Sequence, residues 1–109
     1  MSHVQTSDLI DELGGETHYL EVLSEDSLSV ELARYPNPEP KTPHKTDELY
    51  YIVAGSGTAQ VGDEQYSIAA GDVVYVERGV DHDFFDIDEE ITALVVFTTT
   101  EESVLGRDL

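Results

Sequence analysis

Leu49-Tyr50-Tyr51-Ile52-Val53-Ala54-Gly55-Ser56-Gly57-Thr58-Ala59-Gln60-Val61-Gly62-Asp63-Glu64-Gln65-Tyr66-Ser67-Ile68-Ala69 is a series of β-prone pieces cut by glycine. Leu49–Val53 and Thr58–Val61 read as two strands joined by a Gly55-Ser56-Gly57 turn. Gly62-Asp63 makes the next turn, into Gln65–Ala69. Downstream the pattern continues. Gly71-Asp72 leads into Val73–Glu77, and Arg78-Gly79-Val80-Asp81 turns the chain into His82–Ile87. Asp88-Glu89-Glu90 turns it again, into Ile91–Thr99, the most hydrophobic strand. Upstream, Tyr19–Leu23 and Leu28–Tyr35 are strands separated by polar Ser24-Glu25-Asp26-Ser27. Pro36, Pro38, Pro40 and Pro43 forbid regular pairing and predict a surface loop. Ser7 reads as the N-cap of a short helix that Gly14-Gly15 ends. Eight or more short strands at this spacing predict an all-β sandwich or barrel of antiparallel strands, with a short N-terminal helix.

At 109 residues the chain fits one domain spanning 1–109, with an N-terminal helix and arm over 1–15 and a tail over 101–109. Five Lys+Arg stand against 24 Asp+Glu, a net charge of −19. Acidity of this degree often marks disorder. Here, however, 30 of 109 residues are Leu, Ile, Val or Phe, above the roughly 20% level below which chains stay unfolded. The charge repels phosphate, so neither nucleic acid nor an anionic membrane surface is an expected partner. Apolar runs are too short to span a bilayer. There is no cysteine, hence no disulfide, thiolate nucleophile or thiolate zinc site. The N-terminus has no secretory pattern, and the expected location is the cytoplasm. The acids are dispersed along the chain. Their mutual repulsion destabilises a compact state, and concentrated salt relieves it. The expectation is a protein adapted to a salty cytoplasm in a salt-loving source.

Of four histidines, His3 and His18 read as surface residues near the N-terminus. His44 lies in Thr42-Pro43-His44-Lys45-Thr46-Asp47-Glu48-Leu49-Tyr50-Tyr51-Ile52-Val53-Ala54-Gly55. Its spacing of four from Glu48 puts both on one side of an extended chain. On spacing alone the pair is either an ion pair at a strand entrance or half of a metal site. His82 lies in Gly71-Asp72-Val73-Val74-Tyr75-Val76-Glu77-Arg78-Gly79-Val80-Asp81-His82-Asp83-Phe84-Phe85-Asp86. Asp47 and Asp72 read as solvated or turn-forming residues. Arg78 reads as a surface ion pair or an anchor for an anionic substrate.

Taken together the two segments resemble the motifs of the cupins, small jelly-roll barrels. Gly71, Gly79 and His82 stand at the spacing of the family's second motif, with Glu77 where proline is usual and Asp86 where asparagine is usual. His44, Glu48 and Gly55 match the first motif. The family's further histidine, two positions before His44, is replaced by Thr42. The resemblance thus implies a metal site of His44, Glu48 and His82, two imidazoles and one carboxylate. That set leaves positions on the ion open. It implies one divalent transition metal ion (Fe, Mn, Ni or Zn), a homodimer and a small-molecule ligand or substrate. Tyr50, Phe84 and Asp86 share strand parity with Glu48 or His82 and, with Thr42, are the expected pocket residues. The family contains metal-dependent dioxygenases and isomerases, and no general base is identifiable here. The alternative is a non-catalytic module binding a sugar or small acid, with a partial or vestigial metal site.

Overall fold

A computed structural model of the chain describes residues 3–14, 17–37 and 45–98. The expected loop prolines Pro38, Pro40 and Pro43 and the expected tail 101–109 lie outside these residues. Strand-forming, alternating sequence produces antiparallel strands β1 (Tyr19–Ser24), β2 (Leu28–Tyr35), β3 (Glu48–Val61), β4 (Glu64–Ala69), β5 (Val73–Val76) and β6 (His82–Thr98). They are ordered β1-β2-β6-β3-β4, with β5 also paired to β3. Pro36, which lacks an N–H, follows the last residue of β2.

Two expected turns are not turns. Gly55-Ser56-Gly57 stays within β3, and Asp88-Glu89-Glu90 stays within β6. The two long strands remain paired from Glu48↔Phe97 to Val61↔His82, with register shifts between Ile52 and Thr58. The glycines act there as bulge residues. Gly55 has φ +96, and a Cβ on it would overlap the Glu90 carbonyl oxygen and lie 2.6 Å from the Ile91 Cα. At these irregularities β3 and β6 bend together. One half of the pair lies in a sheet with β1, β2 and β5, the other in a sheet with β4. Six described strands therefore do the work of eight, giving a jelly-roll sandwich whose sheet does not close.

Helix α1 is shorter than expected, spanning Ser7–Ile10 with Thr6, not Ser7, at the N-cap and no side-chain cap bond. No helix among the described residues is long and apolar enough to cross a membrane.

The inward faces of the two sheets form the core. Ile52, Ile91 and Ala93 are fully buried. Burial of each large aliphatic side chain stabilises the fold by about 1.5–3 kcal/mol. Phe84 sits between two tyrosines, 4.7 Å from the Tyr35 ring centroid and 5.1 Å from that of Tyr50. This aromatic cluster forms the wall against which the polar site is built.

Candidate metal-binding site

Glu48 opens β3, and its even spacing with Tyr50 and Ile52 points it inward, as the alternation predicts. It is only 2% exposed. A carboxylate so placed costs several kcal/mol unless it is paired and hydrogen-bonded. The Tyr50 hydroxyl donates to Glu48 Oε1 at 2.6 Å. His82, at the start of β6 and opposite Val61, brings its Nε2 to 3.6 Å from the same oxygen.

The orientation of His82 is set by its other nitrogen. Nδ1 lies 3.1 Å from the Val80 carbonyl oxygen. A carbonyl oxygen only accepts, so Nδ1 carries the hydrogen, and in the neutral ring Nε2 carries the lone pair. That nitrogen is 3.1 Å from the Tyr50 hydroxyl, whose single proton goes to Glu48. Nε2 thus faces two oxygens that need one positive centre between them, which either a proton on Nε2 or a bound cation supplies. Two donors each about 2.1 Å from one ion stand roughly 3.0–3.5 Å apart. The 3.6 Å between Glu48 and His82 is close to that span. Imidazole and carboxylate are also the donor types that suit first-row divalent metals. The residues present fit such an ion.

Among the described residues no three His, Cys, Asp or Glu side chains gather as a complete metal-ligand group. His44 and Thr42 lie outside the described residues. Of the other expected pocket residues, Tyr50 and Phe84 are buried beside His82 and Tyr35. Asp86 is instead exposed, in a left-handed conformation at φ 47.

Arg78 forms an ion pair, one of its two expected roles, and its partner is Asp47, which is not the solvated residue expected. Asp47 is partly buried, and its Oδ1 accepts from the Arg78 backbone N–H at 3.0 Å and from Nε at 3.1 Å. Its Oδ2 accepts from Nη2 at 2.9 Å. This fork ties the residue before Glu48 to the loop that delivers His82. Asp47 also receives the Thr98 backbone N–H on its carbonyl oxygen, closing the end of β6 onto β3.

Two site residues escaped the sequence reading. Tyr35, at the end of β2, is buried with its ring against Phe84, which in turn packs on Tyr50. Burial pushes both phenols well above their usual range, so they stay protonated in the unliganded site. Glu31 lies opposite Val95, which lies opposite Tyr50. Burial, and then the charges of Glu21 and Glu48, push its carboxyl upward. Parity with Tyr35 was the available signal for Glu31. Both Leu32 and Ala33 are apolar and fully buried, so β2 has no polar face to mark which side is inward.

The family profile of the cupin domain matches residues 31–98. The chain belongs to the cupin family. This cupin is 40% identical over 85 residues to an uncharacterised protein of Streptomyces coelicolor, covering 76% of this chain and 81% of that one. Its fold is similar to that of an RmlC-like cupin family protein of Methanocaldococcus jannaschii with a double-stranded β-helix fold. The TM-score is 0.67 at 18% identity, covering 84% of this chain and 88% of that one. It is also similar to the DMSP lyase DddQ of Ruegeria pomeroyi, with a TM-score of 0.64 at 23% identity, covering 79% of this cupin and 49% of that chain.

Proposed function

We propose that this cupin binds one divalent transition metal ion, iron, manganese, nickel or zinc, through Glu48 and His82 together with His44, and acts on a small molecule that chelates the ion. The observation that carries the reading is the His82 ring, held by Val80 with its Nε2 opposite the buried Glu48 carboxylate. When bound, such an ion supplies Lewis acidity or, with iron, oxygen chemistry of the dioxygenase or isomerase kind. The chain's own residues do the rest. Val80 orients the imidazole, and the Asp47–Arg78 fork holds the two ligand-bearing segments together. Phe84 and Tyr35 keep water from the inner wall. The fold similarity to a protein named as a lyase supports a small-molecule substrate.

The test is elemental analysis of untagged protein beside Glu48→Gln and His82→Ala variants. About one ion per chain in the parent and little in either variant is the expected result. Equal, low metal in all three after metal is supplied rejects the site.

A second reading is a small-molecule binding module without chemistry. It rests on a groove of about 440 Å³ lined by Val61, Tyr66, Ile68, Val73 and Tyr75, along the facing edges of β4 and β5. Calorimetric titration with small acids and sugars, with and without EDTA, separates the two readings. Binding that survives chelation favours the groove.

The homodimer is proposed on separate grounds. Leu49, Tyr51 and Val53 of β3 and Val73 and Tyr75 of β5 face outward, each more than a third exposed. The register sets Leu49 against Tyr75 and Tyr51 against Val73. On a chain of charge −19, an uncharged apolar face of this kind is where two copies meet with least repulsion.

A further inference from the structure

We infer that the phenol oxygen of Tyr50 is itself a ligand to the ion, beside Glu48 and His82. The inference rests on the metal-site reading above and deepens it.

Three donor atoms converge in the buried site: Glu48 Oε1, His82 Nε2 and the Tyr50 hydroxyl oxygen. Two of the three separations, 3.6 Å for Glu48–His82 and 3.1 Å for Tyr50–His82, are near the span of about 3.0–3.5 Å that donors around one ion keep. The third, 2.6 Å between Tyr50 and Glu48, is shorter for a visible reason, since it holds the phenolic proton. Exchange of that proton for the ion lengthens this edge by roughly half an ångström. The three separations then lie near the span that donors around one ion keep. The exchange balances: the Tyr50 O–H bond breaks, a bond from that oxygen to the ion forms, and the proton leaves to solvent.

Tyr50 is also positioned as ligands usually are. It lies two residues after Glu48 on the same inward face of β3 and is 3% exposed. Its ring packs edge-on against Phe84, which fixes where its oxygen points.

The experiment loads the full-length protein with ferric iron as the probe. Phenolate bound to ferric iron gives a visible charge-transfer band, and excitation in that band enhances tyrosinate ring vibrations in the Raman spectrum. The expected result is a coloured wild-type protein with those vibrations. Tyr66→Phe, a change on the exposed face of β4, stays coloured. Tyr50→Phe is colourless and holds iron about tenfold or more weakly. Tyr50→His, whose imidazole restores a donor, holds iron without the tyrosinate bands and serves if the phenylalanine variant does not fold. Colour that persists in Tyr50→Phe or Tyr50→His overturns the inference. Wild-type protein that binds one iron without colour also overturns it, while leaving the Glu48–His82 site standing. If no iron is held by any form, and none of the divalent candidates either, the metal-site reading falls and this inference falls with it.

Discussion

Glu31 shows how one residue's surroundings become a property that can be measured. Its carboxyl is pushed above the ordinary value of 4.5 by burial first, then by Glu21 on β1 and Glu48 on β3. A carboxyl raised in this way is favoured protonated in the fold. Between the ordinary and the raised value the folded chain therefore binds more protons than the unfolded one. Stability falls as pH rises through that window, and the full penalty persists above it. Glu31→Gln removes the penalty. With metal chelated by EDTA, the variant's urea midpoint is expected to lie above that of wild type at neutral pH. The difference should close as pH falls to the ordinary carboxylate range. A variant no more stable at neutral pH would place Glu31 in well-solvated surroundings. The inward direction of Glu48 and Tyr50 was legible at this scale from alternation alone. That the Tyr50 oxygen meets both Glu48 and His82 was not, because it depends on β3 and β6 lying side by side in one register.

Strands β3 and β6 bend as a pair, and glycine at position 55 permits it. A side chain there meets the Glu90 carbonyl as well as an unfavourable φ of +96. Gly71 has a similar φ of +95 but nothing within 4 Å of its would-be Cβ. Gly71→Ala should therefore cost about 1 kcal/mol from backbone conformation. Gly55→Ala should cost about 3 kcal/mol or more, since overpacking is added. Urea denaturation of the two variants checks this, and equal losses would mean that the close approach to Glu90 carries no energy. The strand segments on either side of Gly55 were readable from composition. The continuity across it was not, because a glycine pair signals a turn and a bulge equally well. The partner strand decides between them.

Over the whole molecule the dominant quantity is the charge of −19. Raising KCl from about 0.1 M to 1 M shortens the Debye length from about 10 Å to 3 Å. We propose that this surface is adapted to salt, and the urea midpoint is then expected to climb steadily over that range. A flat or falling midpoint rejects the adaptation. The same charge bears on assembly. Tyr51→Glu with Tyr75→Glu places two carboxylates on the uncharged outer face, and sedimentation should show monomers in place of dimers. Dimers that persist would put the interface elsewhere.

What the amino-acid order determined by itself was local or periodic. The positions of the strand segments, the inward direction of Glu48, Tyr50, His82 and Phe84, the acidic surface, and the paired motifs whose spacing resembles the cupins all depend on neighbours within a few residues. Tertiary structure decided what depends on long-range pairing. It made strands of two expected turns and gave Asp47 to Arg78 across 31 residues. It drew Tyr35 and Glu31 to the inner wall and oriented the His82 ring through Val80. The physical reason is the same in each case. A hydrogen bond or a desolvated charge depends on the distance between particular atoms, and in this fold that distance is set by β3 and β6 bending together.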